Sequence, residues 1–397
     1  MTPDQPPVRG DFLGPVHTVE SFEIRTDCRH FAGGLPCRFW RPCHGCPHHD
    51  PVNRRVLIVM LGLLGDMLIA SPLPARIKRE HPGAHITWLV DEACAPVLRM
   101  NPDIDHVLPF DWQAATQLPS QHFDEVLSFE RTPAAAALVD RIPAGHKAGL
   151  AFGGPDHSLY PLGDAAQQFF RQNTWNDYRT ILNRQTWTEL YFAVAGYAYA
   201  GEAYVLQPPD AAVRRVTDLL ADVPHPRVCL NVGGSLPTKL WPERSWVALG
   251  DALLDHGAQL VILGGPTDRA TCERLFGHLD AHAGTGRVVY APLSVEEAAA
   301  LPARCDVVVT GDSYGFHLAL AHRRPTVLLL GPSNAAEVIP KHASDVTALR
   351  ATLPCAPCAH QVSCGGAGGC MDTISVADVL AGTLEHLGIP TAPARGT

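Results

Sequence analysis

The sequence of 397 residues contains no uninterrupted apolar run long enough to cross a membrane. Residues 1–12 also lack the basic and then apolar pattern of a secretory signal peptide, so we expect a cytoplasmic protein. Positive charge is scarce, with 31 Lys and Arg against 40 Asp and Glu and a net charge of −9. This balance argues against a nucleic acid partner and leaves at most peripheral membrane contact.

A nucleotide-binding loop of the Walker A type is missing as well. The glycine-bearing loop before Lys239 does not have the G-x4-G-K-[ST] spacing. Its Gly233, Gly234 and Ser235 nevertheless offer backbone N–H groups, and Lys239 an ammonium, to a phosphate group. The loop therefore predicts phosphate binding of another kind.

Cysteine, in contrast, is abundant, with 12 residues, of which eight form two clusters. The clusters are Cys28, Cys37, Cys43 and Cys46 near the start, and Cys355, Cys358, Cys364 and Cys370 near the end. In a reducing compartment such clusters favour metal over disulfides. Four thiolates suit structural zinc or iron, between which the sequence does not choose. Reduced thiols without a metal are the alternative at both clusters.

The alternation of strand and helix patterns predicts two Rossmann-like α/β domains with a cleft between them. We place a Cys-, His- and Pro-rich extension at 1–52, held by a metal or by docking, and the first domain at 53–206. The second domain is 207–397 and includes a Cys-rich loop at 355–370. Within the first domain, the spacing predicts a strand at 56–60 and one helix at 67–81, whereas 149–206 is less regular.

The stretch 307–331 predicts a buried strand, a tight turn, a short helix and a second buried strand. Gly311 permits the turn, and Asp312 and Ser313 are good N-caps. A helix N-terminus at the carboxyl edge of a parallel sheet can hold a pyrophosphate, with Asp312 and His317 placed to read sugar hydroxyls. A plain strand–helix–strand unit with a capped helix is the alternative interpretation.

Two acidic residues of the first domain follow predicted strands. Asp66 comes after the strand at 56–60 and opens a helix, and Glu130 ends the strand at 123–129. Either could act as a general base, and Asp66 could instead be an ordinary charge at a helix N-terminus.

Three motifs of the second domain are N-V-G-G-S at 231–235, T-K-L-W-P at 238–242 and G-D-S-Y-G-F-H-L-A at 311–319. Through these motifs, residues 55–387 resemble glycosyltransferase family 9, the ADP-heptose-dependent heptosyltransferases. The cysteine tail at 355–371 is also similar to the family's tail, and a subgroup, the bacterial autotransporter heptosyltransferases, has an iron-bearing cysteine finger. The sequence at 27–37 resembles an extension found in some members.

The resemblance implies a GT-B fold, with the acceptor in the N-terminal domain and the nucleotide-sugar in the C-terminal one. It implies that Asp66 is the general base in an inverting displacement that needs no catalytic cofactor. Glu130, from its position after a strand, could replace or assist Asp66. The donor-binding positions that it implies are Gly233, Gly234, Ser235, Thr238, Lys239, Asp312, Ser313, Gly315 and His317.

From the resemblance we expect heptose transfer from ADP-heptose to a lipopolysaccharide-core or related glycan at the inner face of the cytoplasmic membrane. The alternatives are a Ser/Thr of an autotransporter-like protein, a small natural product, or an inactive nucleotide-sugar-binding scaffold. The last follows from the donor turn, where the family's usual Asp-Thr-Gly-x-x-His has become Asp-Ser-Tyr-Gly-Phe-His, with Tyr314 in place of the glycine. A homo-oligomer is compatible with all of these.

Overall fold

The computed structural model describes residues 24–31, 37–284, 286–360 and 369–390. Their strands form two six-stranded sheets, each with one crossover at its centre. The first sheet has the order β3-β2-β1-β4-β5-β6, and β5–β6 is its antiparallel pair. Its strands are β1 Arg54–Val59, β2 Ala84–Val90, β3 His106–Pro109, β4 Phe123–Ser128, β5 Ala144–Gly153 and β6 Ser158–Leu162.

The helices of this half cover the sheet and extend toward the second one. They are α1 Leu64–Ala70, α2 Pro72–Glu80, α3 Ala95–Arg99, α4 Trp112–Gln117, α5 Pro133–Arg141, α6 Ala166–Thr174 and α7 Trp187–Val194, with a π-helical turn at Tyr178–Leu182. The single helix predicted at 67–81 is wrong, because α1 ends before Pro72 and α2 begins there. Proline has no N–H to continue the ladder and suits the first position of a helix.

The antiparallel strand β6 was missed by the sequence interpretation, which left 149–206 irregular. Gly149 has a φ of +108°, and a Cβ there would lie 1.9 Å from the carbonyl oxygen of Ser128. Only glycine fits this close approach of β5 to β4. The strand continues past it and turns back as a hairpin, which covers the edge of the sheet.

The second sheet is entirely parallel, with the order β12-β11-β10-β7-β8-β9. Its strands are β7 Arg227–Asn231, β8 Gln259–Leu263, β9 Val288–Tyr290, β10 Val307–Gly311, β11 Thr326–Leu330 and β12 Val346–Arg350. The central strands are buried along their length, which agrees with their continuous apolar sequences. The predicted α/β class with two Rossmann-like sheets is confirmed, while the division of the chain at residues 52 and 206 stays a prediction.

The helices of the second half are α8 Asp210–Leu219, α9 Glu243–Asp255, α10 Arg269–Ala283, α11 Val295–Ala300, α12 Tyr314–Ala321, α13 Ala335–Val338 and α14 Val376–Leu387. α12 packs directly against α1 of the first half. One apolar cluster accordingly contains residues of both halves, among them Leu68 and Phe316. In the described ranges, none of the helices has the length and apolar character needed to span a membrane.

The N-terminal extension docks onto the first sheet through Arg29. Its Nε donates to Asp50 at 3.0 Å and its Nη1 to the carbonyl oxygen of Ala84 at 3.0 Å, and the same nitrogen pairs with Asp105. Lys78 Nζ also pairs with Asp105, at 3.2 Å. Cys28 adds an antiparallel bridge to Pro51. Arg29 therefore ties the described part of the extension to the first sheet through Ala84 and Asp105.

Replacing Arg29 by alanine is expected to release the extension. The Arg29 and Asp105 side chains are only 17% and 11% exposed, so the loss should cost about 1–3 kcal/mol, between surface and buried pairs. Limited proteolysis should then cut the extension sooner, with a lower Tm. Arg41→Ala, an exposed residue of the same segment, is the control. Equal protease resistance of the Arg29 variant and the wild type would show that other contacts hold the extension.

Candidate active site

Asp66 lies in the first turn of α1, directly after β1. Its Oδ2 accepts a hydrogen bond from the backbone N–H of Leu63 at 2.9 Å. Burial raises the pKa of Asp66, while the Leu63 N–H and the nearby Lys239 lower it in part. A half-buried carboxylate with a raised pKa has the proton affinity that a general base needs.

Glu130 lies close behind this turn, but both of its oxygens are already occupied. Oε2 accepts from the N–H of Leu61 at 2.8 Å. Oε1 accepts from the N–H of Arg131 at 2.8 Å and from the N–H and hydroxyl of Thr132, each at 2.7 Å. Glu130 thus accepts four hydrogen bonds, which connect the loop before Asp66 with the start of α5. We propose that it holds this loop in place and does not act as the base.

On the opposite side, Asp312 follows β10 and forms the centre of a polar cluster. Lys239 Nζ lies 2.7 Å from Asp312 Oδ2, and the hydroxyl of Ser333 donates to the same oxygen at 2.5 Å. Burial alone would raise the pKa of Asp312, but Lys239 and Ser333 lower it to about 2. The cluster thus holds an ammonium and a permanently ionised carboxylate side by side at the carboxyl edge of the sheet.

The position of the glycine in the donor turn has a structural reason. The amide of Asn231, at the end of β7, donates to Thr310 at 2.8 Å and to Ser313 at 2.7 Å. A Cβ on Gly315 would lie 2.4 Å from the Asn231 side chain. The turn therefore needs its glycine at 315, where Asn231 braces the start of α12.

Tyr314, the substitution that raised doubt about this turn, packs against the apolar cluster shared by the two halves. Burial, with the Glu296 carboxylate and the Cys94 thiol nearby, raises the pKa of Tyr314 well above its ordinary value. The ring is thus directed toward α3 and α11, which is compatible with a working donor turn.

His317 is buried where the two halves meet. Its Nδ1 lies 3.5 Å from the hydroxyl of Tyr204, and a Cβ on Gly65 would lie 3.1 Å from its ring. Burial lowers the pKa of His317 to about 4, so it is neutral at physiological pH. Gly65, next to Asp66, thus permits α1 and α12 to approach, and this contact sets Asp66 across from Lys239 and Asp312.

The remaining predicted donor positions lie on the loop after β7. Gly233 packs on Asp268, Gly234 lies near Leu240, and Ser235 is exposed. Thr238 instead bonds through its hydroxyl to Nδ1 of His360 at 2.8 Å.

Four further residues belong to this site and were not predicted, namely Ser333, Asn334, His360 and Arg179. Ser333 and Asn334 follow β11 at the same sheet edge as Asp312, a position that could have drawn attention to them. His360 lies within the Cys-rich run and was read as part of it. Arg179 comes from the irregular part of the first half, and no sequence pattern connects it with the second sheet.

Comparison with known proteins then identifies the family. Residues 112–366, more than half of the chain, match the profile described as glycosyltransferase family 9 (heptosyltransferase). The chain belongs to glycosyltransferase family 9. It is therefore a glycosyltransferase, and the predicted resemblance is confirmed.

Individual relatives agree with the family. Lipopolysaccharide heptosyltransferase 2 of Salmonella typhimurium is 25% identical over 299 residues, covering 70% of this chain and 83% of that protein. Lipopolysaccharide heptosyltransferase 1 of Pseudomonas aeruginosa is 26% identical over 330 residues, covering 77% and 86%. The solved structure of Escherichia coli ADP-heptose LPS heptosyltransferase II superposes with a TM-score of 0.64 at 19% identity, covering 84% and 98%. This likeness shows the GT-B fold in this family 9 chain.

The cysteines of this family 9 chain do not form the predicted metal sites in the part that the structure describes. Within 24–31, 37–284, 286–360 and 369–390, no three His, Cys, Asp or Glu side chains are placed to hold a metal. Cys28, Cys37, Cys43 and Cys46 are all described, so the predicted N-terminal site is not confirmed. Of the C-terminal set, Cys370 is buried in the core, and Cys364 lies outside the described residues.

Proposed function

We propose that the chain is an inverting heptosyltransferase that moves heptose from ADP-heptose to a hydroxyl of a lipopolysaccharide-core or related glycan. The observation that carries this proposal is the placement of Asp66 across the domain contact from the Lys239–Asp312 pair. An acid with a raised pKa thereby faces the sheet edge that carries the Lys239 ammonium and the Asp312 carboxylate.

The names of the relatives support the donor and the acceptor class, since they are lipopolysaccharide heptosyltransferases and one is an ADP-heptose enzyme. Such an acceptor would be met at the inner face of the cytoplasmic membrane, where the enzyme would act from the cytoplasm.

In the reaction, the acceptor oxygen attacks the anomeric carbon from the face opposite to ADP and gives its proton to the Asp66 carboxylate. The bond between the anomeric carbon and the phosphate oxygen breaks, and ADP leaves with the electron pair. Lys239 and the N–H groups at the start of α12 stabilise the charge that develops on the diphosphate. Asp312 is placed to bind hydroxyls of the sugar. These side chains account for the displacement with one base and one cationic site.

The first test is thermal unfolding of the full chain with ADP-, UDP- and GDP-sugars. Ligand at one hundred times its Kd should stabilise the fold by about 2.7 kcal/mol, or about 3 °C in Tm for a chain of this length. We expect this shift with ADP-heptose and little with the UDP and GDP sugars. A shift with another nucleotide alone would refute the donor assignment.

Acceptor assays by mass spectrometry then separate the alternatives. Transfer to a lipopolysaccharide-core glycan supports the proposal, and transfer to Ser/Thr of a protein or to a small molecule replaces its acceptor. Binding of ADP-heptose with neither transfer nor hydrolysis would indicate an inactive scaffold.

A further inference from the structure

The two halves of the molecule are joined beside the donor cluster by a buried ion pair. Arg179, on the π-helical turn Tyr178–Leu182, donates through Nε to Glu337 Oε1 at 3.1 Å and Oε2 at 2.9 Å. Gln172 of α6 donates to Oε1 at 2.8 Å. Glu337, on α13, is 2% exposed. A buried carboxylate of the second half thus fixes the guanidinium of the first.

One short loop after β11 connects this pair with the donor cluster. Asn334 donates through its side-chain amide to the backbone oxygen of Arg179 at 3.1 Å. The residue before it, Ser333, donates to Asp312. The next one back, Pro332, accepts from the N–H of Ala359 at 2.9 Å, beside His360. The same loop therefore touches Arg179, Asp312 and the segment that reaches Thr238.

The guanidinium of Arg179 has capacity left for a ligand. Among the described residues, the Glu337 carboxylate is its hydrogen-bond partner through Nε, and neither Nη1 nor Nη2 has one. The side chain is 25% exposed, and its Cζ lies over the ring of Trp187, 5.4 Å from the ring centroid. Arginine keeps five N–H donors in a rigid fork, so four remain for an anion.

A diphosphate bound at the donor cluster would need a second cation to balance its charge. Lys239 is already paired with Asp312, so the pair presents no net charge to an incoming diphosphate. The Arg179 guanidinium lies near enough to His360 to affect its pKa, as Lys239 does. Arg179 and Lys239 thus both lie near His360, and a planar guanidinium matches phosphate oxygens in pairs.

We propose that Arg179 binds the diphosphate of the nucleotide-sugar from the N-terminal domain, and that Glu337 is the positioning residue that fixes its guanidinium. This inference rests on the proposed function and adds to it a donor-binding residue from the half that receives the acceptor. The diphosphate is then gripped from both halves, by Lys239 on one side and Arg179 on the other.

The test is calorimetric titration of the full chain with ADP and with AMP, which lacks the second phosphate. Loss of charge-assisted hydrogen bonds costs about 1.5–3 kcal/mol, so Arg179→Gln should weaken ADP binding roughly 10- to 100-fold. AMP binding should change by less than about threefold, since fewer phosphate contacts are lost. Glu337→Gln should lower the ADP-to-AMP preference less, because the guanidinium is retained but loses its charged partner.

The matched control is Arg184→Gln, because the Nη1 of Arg184 bonds only to Ile181 and Asn183 oxygens of its own segment among the described residues. It should keep the wild-type preference for ADP. Arg179→Lys serves if the glutamine variant unfolds, and it should also lose preference, since an ammonium lacks the fork. If a folded Arg179 variant keeps the wild-type ratio of ADP to AMP affinity, the Arg179–Glu337 pair has only a structural role. Failure of the wild type to bind ADP would instead overturn the proposed donor itself.

Discussion

Replacement of Asp66 by asparagine is expected to lower kcat by about 10²- to 10⁴-fold, the range that a positioned general base contributes. Asparagine has nearly the same shape, and its amide oxygen can still accept from the Leu63 N–H, as the carboxylate does at 2.9 Å. What is lost is the ability to take a proton. ADP affinity should remain within about twofold, because the change leaves the donor cluster intact. Rapid-quench kinetics and ADP titration measure the two quantities.

The pH profile gives a second readout of the same residue. Burial raises the pKa of Asp66, so its base form is depleted as pH falls through that raised value. We therefore expect the acid limb of kcat to lie above the ordinary range for aspartate, and to disappear from the residual rate of the asparagine variant. An acid limb that persists unchanged would assign the base to another group.

Glu130→Gln provides the comparison within the same loop. Glu130 accepts four hydrogen bonds, one of them from the Leu61 N–H, and a glutamine can satisfy only part of this set. We expect about a tenfold loss of rate through a looser loop. A loss in Glu130→Gln as large as in Asp66→Asn would show that Glu130 has a part in proton transfer.

Lys239→Ala is expected to weaken ADP binding by roughly 10- to 100-fold, by loss of its contact with the diphosphate. It should also destabilise the fold on the order of 3 kcal/mol, because Asp312, whose side chain is 12% exposed, then keeps a nearly buried charge without its ion-pair partner. Calorimetric titration and denaturant unfolding measure the two effects separately.

The ionisation of Asp312 determines how the stability of the folded protein changes with pH. Its pKa is about 2 in the folded protein, below the usual value of about 3.9. The depressed pKa contributes stability that is complete above the unfolded value and is lost as pH falls toward 2. In Lys239→Ala this contribution should shrink, so the variant should lose less stability than the wild type as pH falls from about 4 to about 2.

A double replacement separates binding from stability. Adding Asp312→Asn to Lys239→Ala removes the unpaired charge, so the stability should return in part while ADP affinity stays low. If the double variant recovers ADP affinity as well, Lys239 acts on the donor only by neutralising Asp312, and its direct contact with the diphosphate is refuted.

The alternating strands and helices of both halves were readable from the sequence, because buried parallel strands are continuous apolar runs and their turns need glycine and capping residues. Asp66, Lys239 and Asp312 were candidates because each follows a strand at the edge where such folds bind ligands, and the family resemblance supplied their expected roles. The break at Pro72 shows the limit of periodicity, because the apolar spacing ran on through a residue that starts a new helix.

Contacts between distant segments could not be read in this way. No sequence pattern indicates that Gly65 lies against His317 or that Arg179 contacts Glu337. Nor does a pattern show that the Glu130 carboxylate accepts hydrogen bonds from three backbone N–H groups and a hydroxyl. Local patterns determine which elements form and where polar residues end them. The packing of one sheet on the other determines which side chains meet, because that depends on three-dimensional distances that sequence separation does not encode.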